Sequence, residues 1–358
     1  MKAKKSVLIL VVYYLCSLLI IGLGVKYFPE KYFIDTNRIF SILNGLDSFS
    51  GKSFSATAFL YQLLYFNTVP SMFVAGIINY HIVLFILVAI YRSLAPRWNV
   101  IPYVLMSAWA MMLSLFLGMY SKEFFTFLMV SMLFYAYFYN SNKFIIAAFL
   151  IFLLYGIFVR EYYLIIIGEF LIIQFVVRYF RIKVLRVSVL LSYLLVKSMA
   201  FKYLIGLYIT DFRTLLTTGK EGSDDAVTLM NNLMSNSSVF TDIANNFYVW
   251  FTFLIPFPLF KTAAPQHVLF ALMQIVTVFT FVYIVRKLYK NHHKYEHIDT
   301  TKINFIVSFV LAFTFVHSAF EGDFGSYARH QIVLLPLYFY LLLVFFGNEN
   351  QIQKEIVN

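Results

Sequence analysis

The residues of this 358-residue chain with the greatest chemical capacity sit in three tight turns between long apolar runs. Lys122-Glu123 makes the first, Arg160-Glu161 the second, and EGDFGSYARHQ at 321–331 the third, bringing Asp323, Arg329 and His330. Arginine offers an anion a planar fork of N–H donors, lysine a point charge, and a carboxylate or imidazole can take a proton. Such groups together can hold an anion and move a proton. The bland account of any one of them is that charges end membrane helices and long basic side chains reach back to the interface. The Arg160-Glu161 doublet resists that account. It interrupts IFLLYGIFVREYYLIIIGEF, where a turn by itself asks for Gly, Asn or Ser.

The elements that must position these turns follow from composition. Hydrophobic residues make up 61% and charged residues 13% of the chain, far from the balance of a soluble domain. A bilayer core asks for about 20 apolar residues per helix, and unpaired backbone groups cannot face lipid. Apolar runs at 6–25, 70–91, 101–121, 124–140, 144–159, 162–178, 187–207, 267–286, 303–319 and 330–347 therefore predict an all-α polytopic membrane protein of ten spans. An eleventh would arise if YVWFTFLIPFPLF at 248–260 crossed, but Pro256 and Pro258 interrupt it, and it reads as interfacial or re-entrant. With the basic start Met1-Lys2-Ala3-Lys4-Lys5 inside, the inner segments hold 16 of the 28 Lys and Arg against four acids. The outer segments balance, with 12 of each sign. That asymmetry predicts cytoplasmic N and C termini. It also explains the net charge of +11 without a nucleic-acid partner, which would want a basic face with groove-reading elements.

The same reading places residues 1–358 in one integral membrane domain, with outer loops 26–69 and 208–266 forming an extracytoplasmic cap of short amphipathic or re-entrant helices. The first loop carries Asp35 and Arg38 in FIDTNRIF; the second carries Asp211, Arg213, Lys220, Glu221, Asp224, Asp225 and Asp242. Inside the membrane Glu169 is the most costly residue, and pairing with a cation such as Lys197 is the expected resolution, ahead of a proton-carrying role. His81 and His317 read as packing histidines that join helices, and His292, His293 and His297 as solvated inner-surface charge. Cys16 is the lone cysteine, so no disulfide or thiolate metal site forms within one chain. Asn236-Ser237-Ser238 fits a glycosylation sequon, a weak pattern. No nucleotide-binding glycine loop and no H-x-x-x-H zinc pattern occurs, and neither metal nor cofactor is expected.

In its arrangement of spans, and in Asp35 of FIDTNRIF, Ser121-Lys122-Glu123, Arg160 of FVRE and Tyr327-Ala328-Arg329-His330 before the apolar helix with Pro336, the chain resembles the polysaccharide polymerases of the Wzy and EpsG type. The resemblance implies a fold similar to helical GT-C glycosyltransferases and a place in the bacterial inner membrane. It implies partners as well: undecaprenyl-diphosphate-linked glycans, membrane lipids, a flippase and a chain-length regulator. The implied reaction moves a growing glycan from its lipid diphosphate to a hydroxyl on the incoming lipid-linked unit. Arg160 and Arg329, then Lys122 and Arg38, would hold the diphosphate, since arginine meets phosphate oxygens bidentately. His330, Asp35, Glu161 and Asp323, in that order, would take the hydroxyl proton.

Three other activities compete. A GT-C enzyme using a polyprenyl-phosphate sugar would place an acidic pair in the first outer loop, where Asp35 has only Glu30 for company. A lipid-oligosaccharide flippase or other transporter would line the membrane interior with charge, whereas Glu169 and Lys197 are nearly the whole intramembrane inventory. A membrane acyltransferase could use His330 or His317 as its base, with its thioester donor favouring functional residues on the inner side.

Overall fold

The computed structural model describes all residues except 1, 28–32, 48–50, 70, 95–99, 139–141, 219–227, 263, 291–299 and 358. Helix accounts for 86% of it, and the described residues form no strand. His292, His293 and His297, and Lys220, Glu221, Asp224 and Asp225, lie outside the described residues. Every apolar run forms helix: α1 (Lys2–Tyr27), α4 (Met72–Leu94), α5 (Val100–Leu117), α6 (Lys122–Phe138), α7 (Asn142–Phe158), α8 (Tyr162–Tyr179), α9 (Lys183–Ile205), α12 (Pro265–Lys290) and α13 (Thr300–Phe320). Among the described residues, six helices are long and apolar enough to cross a membrane, Phe324–Phe346 among them, and Val11–Gly24, Val104–Leu117 and Asn142–Phe158 are shorter apolar stretches. The chain thus has the helices of a multi-pass membrane protein.

Two departures from the sequence pattern have local causes. The last run is broken into α14 (Phe324–Gln331), a 3-10 turn at Ile332–Leu334 and α15 (Leu335–Val357). Pro336 has no N–H to give and its ring clashes with a preceding helical carbonyl, so it is accommodated in the first turn of a restarted helix. The segment around 248–260 belongs to α11 (Val239–Leu254), which begins earlier than its apolar stretch. Ser238 caps that start: its Oγ accepts from the Thr241 N–H, and Thr241 Oγ1 accepts from the Ser238 N–H at 2.9 Å. Pro256 follows the helix end, and a 3-10 turn occupies Phe257–Thr262. Sixteen residues rise about 24 Å, short of a hydrocarbon core of about 30 Å.

Two compact units emerge, Met1–Glu161 with Ile332–Asn358, and Tyr162–Gln331. In the first, α15 packs against α4, α5 and α6, α1 against α4 and α5, and α6 against α7. The helices α4 and α5 approach through small residues: a Cβ on Gly76 would fall 2.2 Å from the Gly118 carbonyl oxygen, a distance only glycine permits. The first sequence-predicted outer loop holds α2 (Ile34–Leu43) and α3 (Lys52–Leu63), packed on one another. His81 is a packing histidine as expected, its Nε2 bonded to Tyr14 Oη at 2.7 Å across α1 and α4.

In the second unit α13 is the hub, lying against α8, α11, α12, α14 and α10 (Asp211–Thr217). It is buried nearly all round, and Phe305 and Phe309 meet Phe170 of α8 edge to face at 5.1 and 5.5 Å. By contrast α9 exposes Val184, Val187, Leu191, Val196 and Leu204. Helices in lipid gain little from hiding apolar surface, so close aromatic packing and buried polar bonds hold this unit together.

Candidate functional site

In the first unit, chemistry gathers where α5 turns into α6. Tyr61 of α3 is fully buried against this turn; its hydroxyl accepts from the Ser121 N–H at 3.0 Å and donates to the Ser121 carbonyl at 3.2 Å. Asn79 of α4 donates to both Tyr61 Oη and the Met119 carbonyl. Thr36 of α2 donates to the Tyr120 carbonyl at 2.9 Å. Burial pushes the Tyr61 phenol far above its ordinary range, so it stays neutral. The loop before α4 is therefore a fixed cap on the turn that carries Lys122.

The charges at this turn are buried. Lys122 is 9% exposed, with Nζ 3.4 Å above the Phe54 ring centre, a cation–π contact. Arg160 and Glu123 form a buried ion pair, Nη2 to Oε1 at 2.6 Å. Neither cation reaches out in the manner of an interfacial anchor. Glu161, the next residue, does face outward: it pairs with Lys52 at 2.9 Å, and both side chains are mostly exposed. Asp35 is half-buried in the first turn of α2, and Arg38 is exposed with its guanidinium 5.4 Å from the Phe54 ring centre.

The second unit assembles three groups that the sequence does not join. His317 in the last turn of α13, Glu321 after it and His330 of α14 are all buried, and their ligand atoms lie within 4.8 Å of one another. His317 Nδ1 and His330 Nε2 both face Glu321 Oε1, at 3.3 and 2.9 Å. Burial by itself would raise the Glu321 carboxyl, but His330 and His317 beside it hold it well below the usual carboxylate range. The His317 ring lies 4.7 Å from that of His330 and is flanked by Tyr162, Tyr163 and Phe313. His330, the first-ranked proton acceptor of the sequence, thus has a carboxylate partner. His317 thus pairs with Glu321 as well as packing among aromatic rings.

Arg329 is half-buried on α14 beside His330. Asp323, the last of the bases expected from the sequence, is bonded to Ser326. Its Oδ1 accepts the Ser326 N–H at 2.8 Å and its Oδ2 the Ser326 hydroxyl at 3.0 Å, the geometry of a helix cap for α14. Arg160, Lys122, Glu161, Asp35 and Arg38 belong to the first unit, and Arg329, His330 and Asp323 to the second.

A polar network that the sequence did not single out pins the segment before α11 within the second unit. Arg213 of α10 is fully buried and donates to the Ser318 carbonyl and to Asn232 Oδ1. Burial pushes its guanidinium down to about 10 while Asp242 pulls it back up, so it is cationic at neutral pH. Asp242 accepts from the Thr210 N–H at 2.9 Å, the Thr210 hydroxyl at 2.6 Å and the Ser198 hydroxyl at 2.6 Å. Asn236, of the sequon, is engaged too, donating to Thr210 Oγ1 and Asp211 Oδ1. Asp242→Ala would strand three buried donors at about 1–3 kcal/mol each. We expect the variant to melt at lower temperature and to gain protease cleavage sites around α10, and unchanged proteolysis would show that the carboxylate does not hold this segment.

Two signals for these groups exist in the sequence. His317 and Glu321 stand four apart, one helical turn, at the end of an apolar run. Asp323 and Ser326 have capping-box spacing. Nothing in the spacing announces that His330 folds back to Glu321. No family model matches the chain, and no curated protein or solved structure matches it.

Proposed function

We propose that the chain is a glycosyltransferase of the outer face of the bacterial inner membrane, joining undecaprenyl-diphosphate-linked repeat units into longer glycans. The observation that carries this reading is the His317–Glu321–His330 centre, buried at a helix end with Arg329 next to it in the chain. Ionisable groups buried at a helix end call for more than snorkelling, and perturbed ones mark functional sites. On the ten-span reading with the lysine-rich start inside, this end of α13 would face outward, the side on which lipid-linked glycans would be joined.

In this reaction the bond from the donor sugar's anomeric carbon to the diphosphate oxygen breaks, and a bond from that carbon to the acceptor oxygen forms. The acceptor proton passes to the His317–Glu321–His330 centre, and undecaprenyl diphosphate departs with its extra negative charge. Arg329 meets that charge, because a pre-placed guanidinium stabilises it without reorganising.

A transporter would need charge free to change partners along the membrane interior. Glu169 and Lys197 instead bond to one another. Deleting the gene in its host and extracting the lipid-linked intermediates separates the readings. We expect single finished repeat units to accumulate outside the membrane. Accumulation inside would identify a flippase, and a repeat lacking one sugar or acyl group would identify a different transferase.

A further inference from the structure

We propose that His317, Glu321 and His330 bind a divalent transition-metal ion of the zinc class. The three donors come from rigid elements, the last turn of α13, the residue just beyond it and α14. The connection between the helices is itself fixed, by the Met230 N–H donating to the Gly322 carbonyl at 2.8 Å and by the Asp323 cap. Zinc bonded at about 2.0–2.2 Å in a tetrahedron sets its ligand atoms about 3.3 Å apart. The two edges that meet at Glu321 Oε1 are 2.9 and 3.3 Å, and no pair of the three ligand atoms exceeds 4.8 Å. Both imidazoles therefore already converge on one carboxylate oxygen at the spacing a small ion imposes.

The donor set selects the ion. Two imidazole nitrogens and one carboxylate suit zinc, cobalt, nickel or copper, whereas magnesium and calcium seek oxygen throughout. Three protein ligands leave a fourth position open, the arrangement of zinc sites that act on a substrate or water. Packing restricts the His317 ring: Tyr162 and Tyr163 lie edge-on to it at 5.2 and 5.9 Å, and Phe313 lies 4.3 Å away. Between two stacked, buried imidazoles and a buried carboxylate, one dication would replace shared protons.

The inference rests on the reading given above and deepens it: with a metal held, the acceptor hydroxyl would lose its proton at the open fourth position instead of to the imidazoles, and metal occupancy is measurable whatever the reaction. The full chain, free of any affinity tag, is purified in detergent, stripped with a chelator, equilibrated with Zn2+ alone and dialysed before elemental analysis. His292, His293 and His297 are first replaced by Ala, since three imidazoles within six residues could take up zinc by themselves. We expect about one zinc per chain in this background, no retention after His317→Ala or His330→Ala, and at least tenfold weaker binding after Glu321→Gln. His330→Cys guards against a mere folding defect: it should keep an equivalent of metal and, loaded with Co2+, show the thiolate charge-transfer band that the parent lacks. Less than a tenth of an equivalent in the parent, or occupancy indifferent to all three positions, overturns the site. Zinc retained by a parent whose His317→Ala and His330→Ala variants still make glycan of normal length would keep the metal and remove the transferase role. Glycan lost from those variants in a chain that never holds zinc would do the reverse.

Discussion

Glu169→Gln will destabilise the protein by about 3–5 kcal/mol, the cost of leaving one member of a buried ion pair without its counter-charge. Lys197 Nζ donates to Glu169 Oε1, both side chains are buried, and the ammonium lies 5.1 Å from the Phe315 ring centre. A carboxamide keeps a hydrogen bond and loses the charge. Had Glu169 only bridged helices by hydrogen bonding, glutamine would have sufficed; opposite a buried ammonium it does not. Membrane abundance and the monodisperse fraction after detergent extraction should fall together. Replacing both partners, Glu169→Met with Lys197→Met, should restore most of the loss, because removing both charges also removes their desolvation. Normal folding of Glu169→Gln with loss of activity would defeat the pairing account and return Glu169 to a proton-carrying role.

Arg329→Ala will leave abundance unchanged and slow glycan transfer about 100- to 1,000-fold, the usual effect of deleting one pre-placed donor to a developing anion. Arg329 is half-buried on the short helix α14, so its loss opens no core. Arg329→Lys should fail nearly as badly, since an ammonium offers a point charge where a diphosphate takes two parallel N–H bonds. Arg38→Ala, in an exposed residue, should have the smaller effect. Polysaccharide gels from matched amounts of each variant decide the matter: a normal length distribution from Arg329→Ala would take the residue out of the site.

The helices were legible because the solvent leaves few choices. A backbone in lipid must satisfy itself, so long apolar runs become helices whatever their sequence detail, and nine of the ten runs lie in single helices. The Glu169–Lys197 pair was legible for a related reason, because a charge inside a span needs an opposite charge and the next span offered one. Exceptions arose where local chemistry outweighed apolar content. Pro336 restarts the last helix after a 3-10 turn, and the Ser238 cap starts α11 at Val239, nine residues before Tyr248 and within the second outer loop.

The site was far less legible. Charges beside apolar runs look alike in a sequence, yet Lys122, Glu123 and Arg160 are buried while Glu161, adjacent to Arg160, pairs with Lys52 in the open. Asp323 carried the same sequence value as a base that Glu321 lacked; Ser326 turned the first into a helix cap, and two imidazoles gathered around the second.

What the chain determined by its residues alone is a set of membrane-length helices with charge confined mainly to their ends, because transfer of apolar and charged groups between water and lipid depends on composition and length. Which of those charged ends are buried, and which ionisable groups share one oxygen, only the tertiary structure decided. His317 and His330 lie 13 residues apart with a turn and a helix start between them, and their convergence on Glu321 depends on backbone bends that no pairwise spacing encodes.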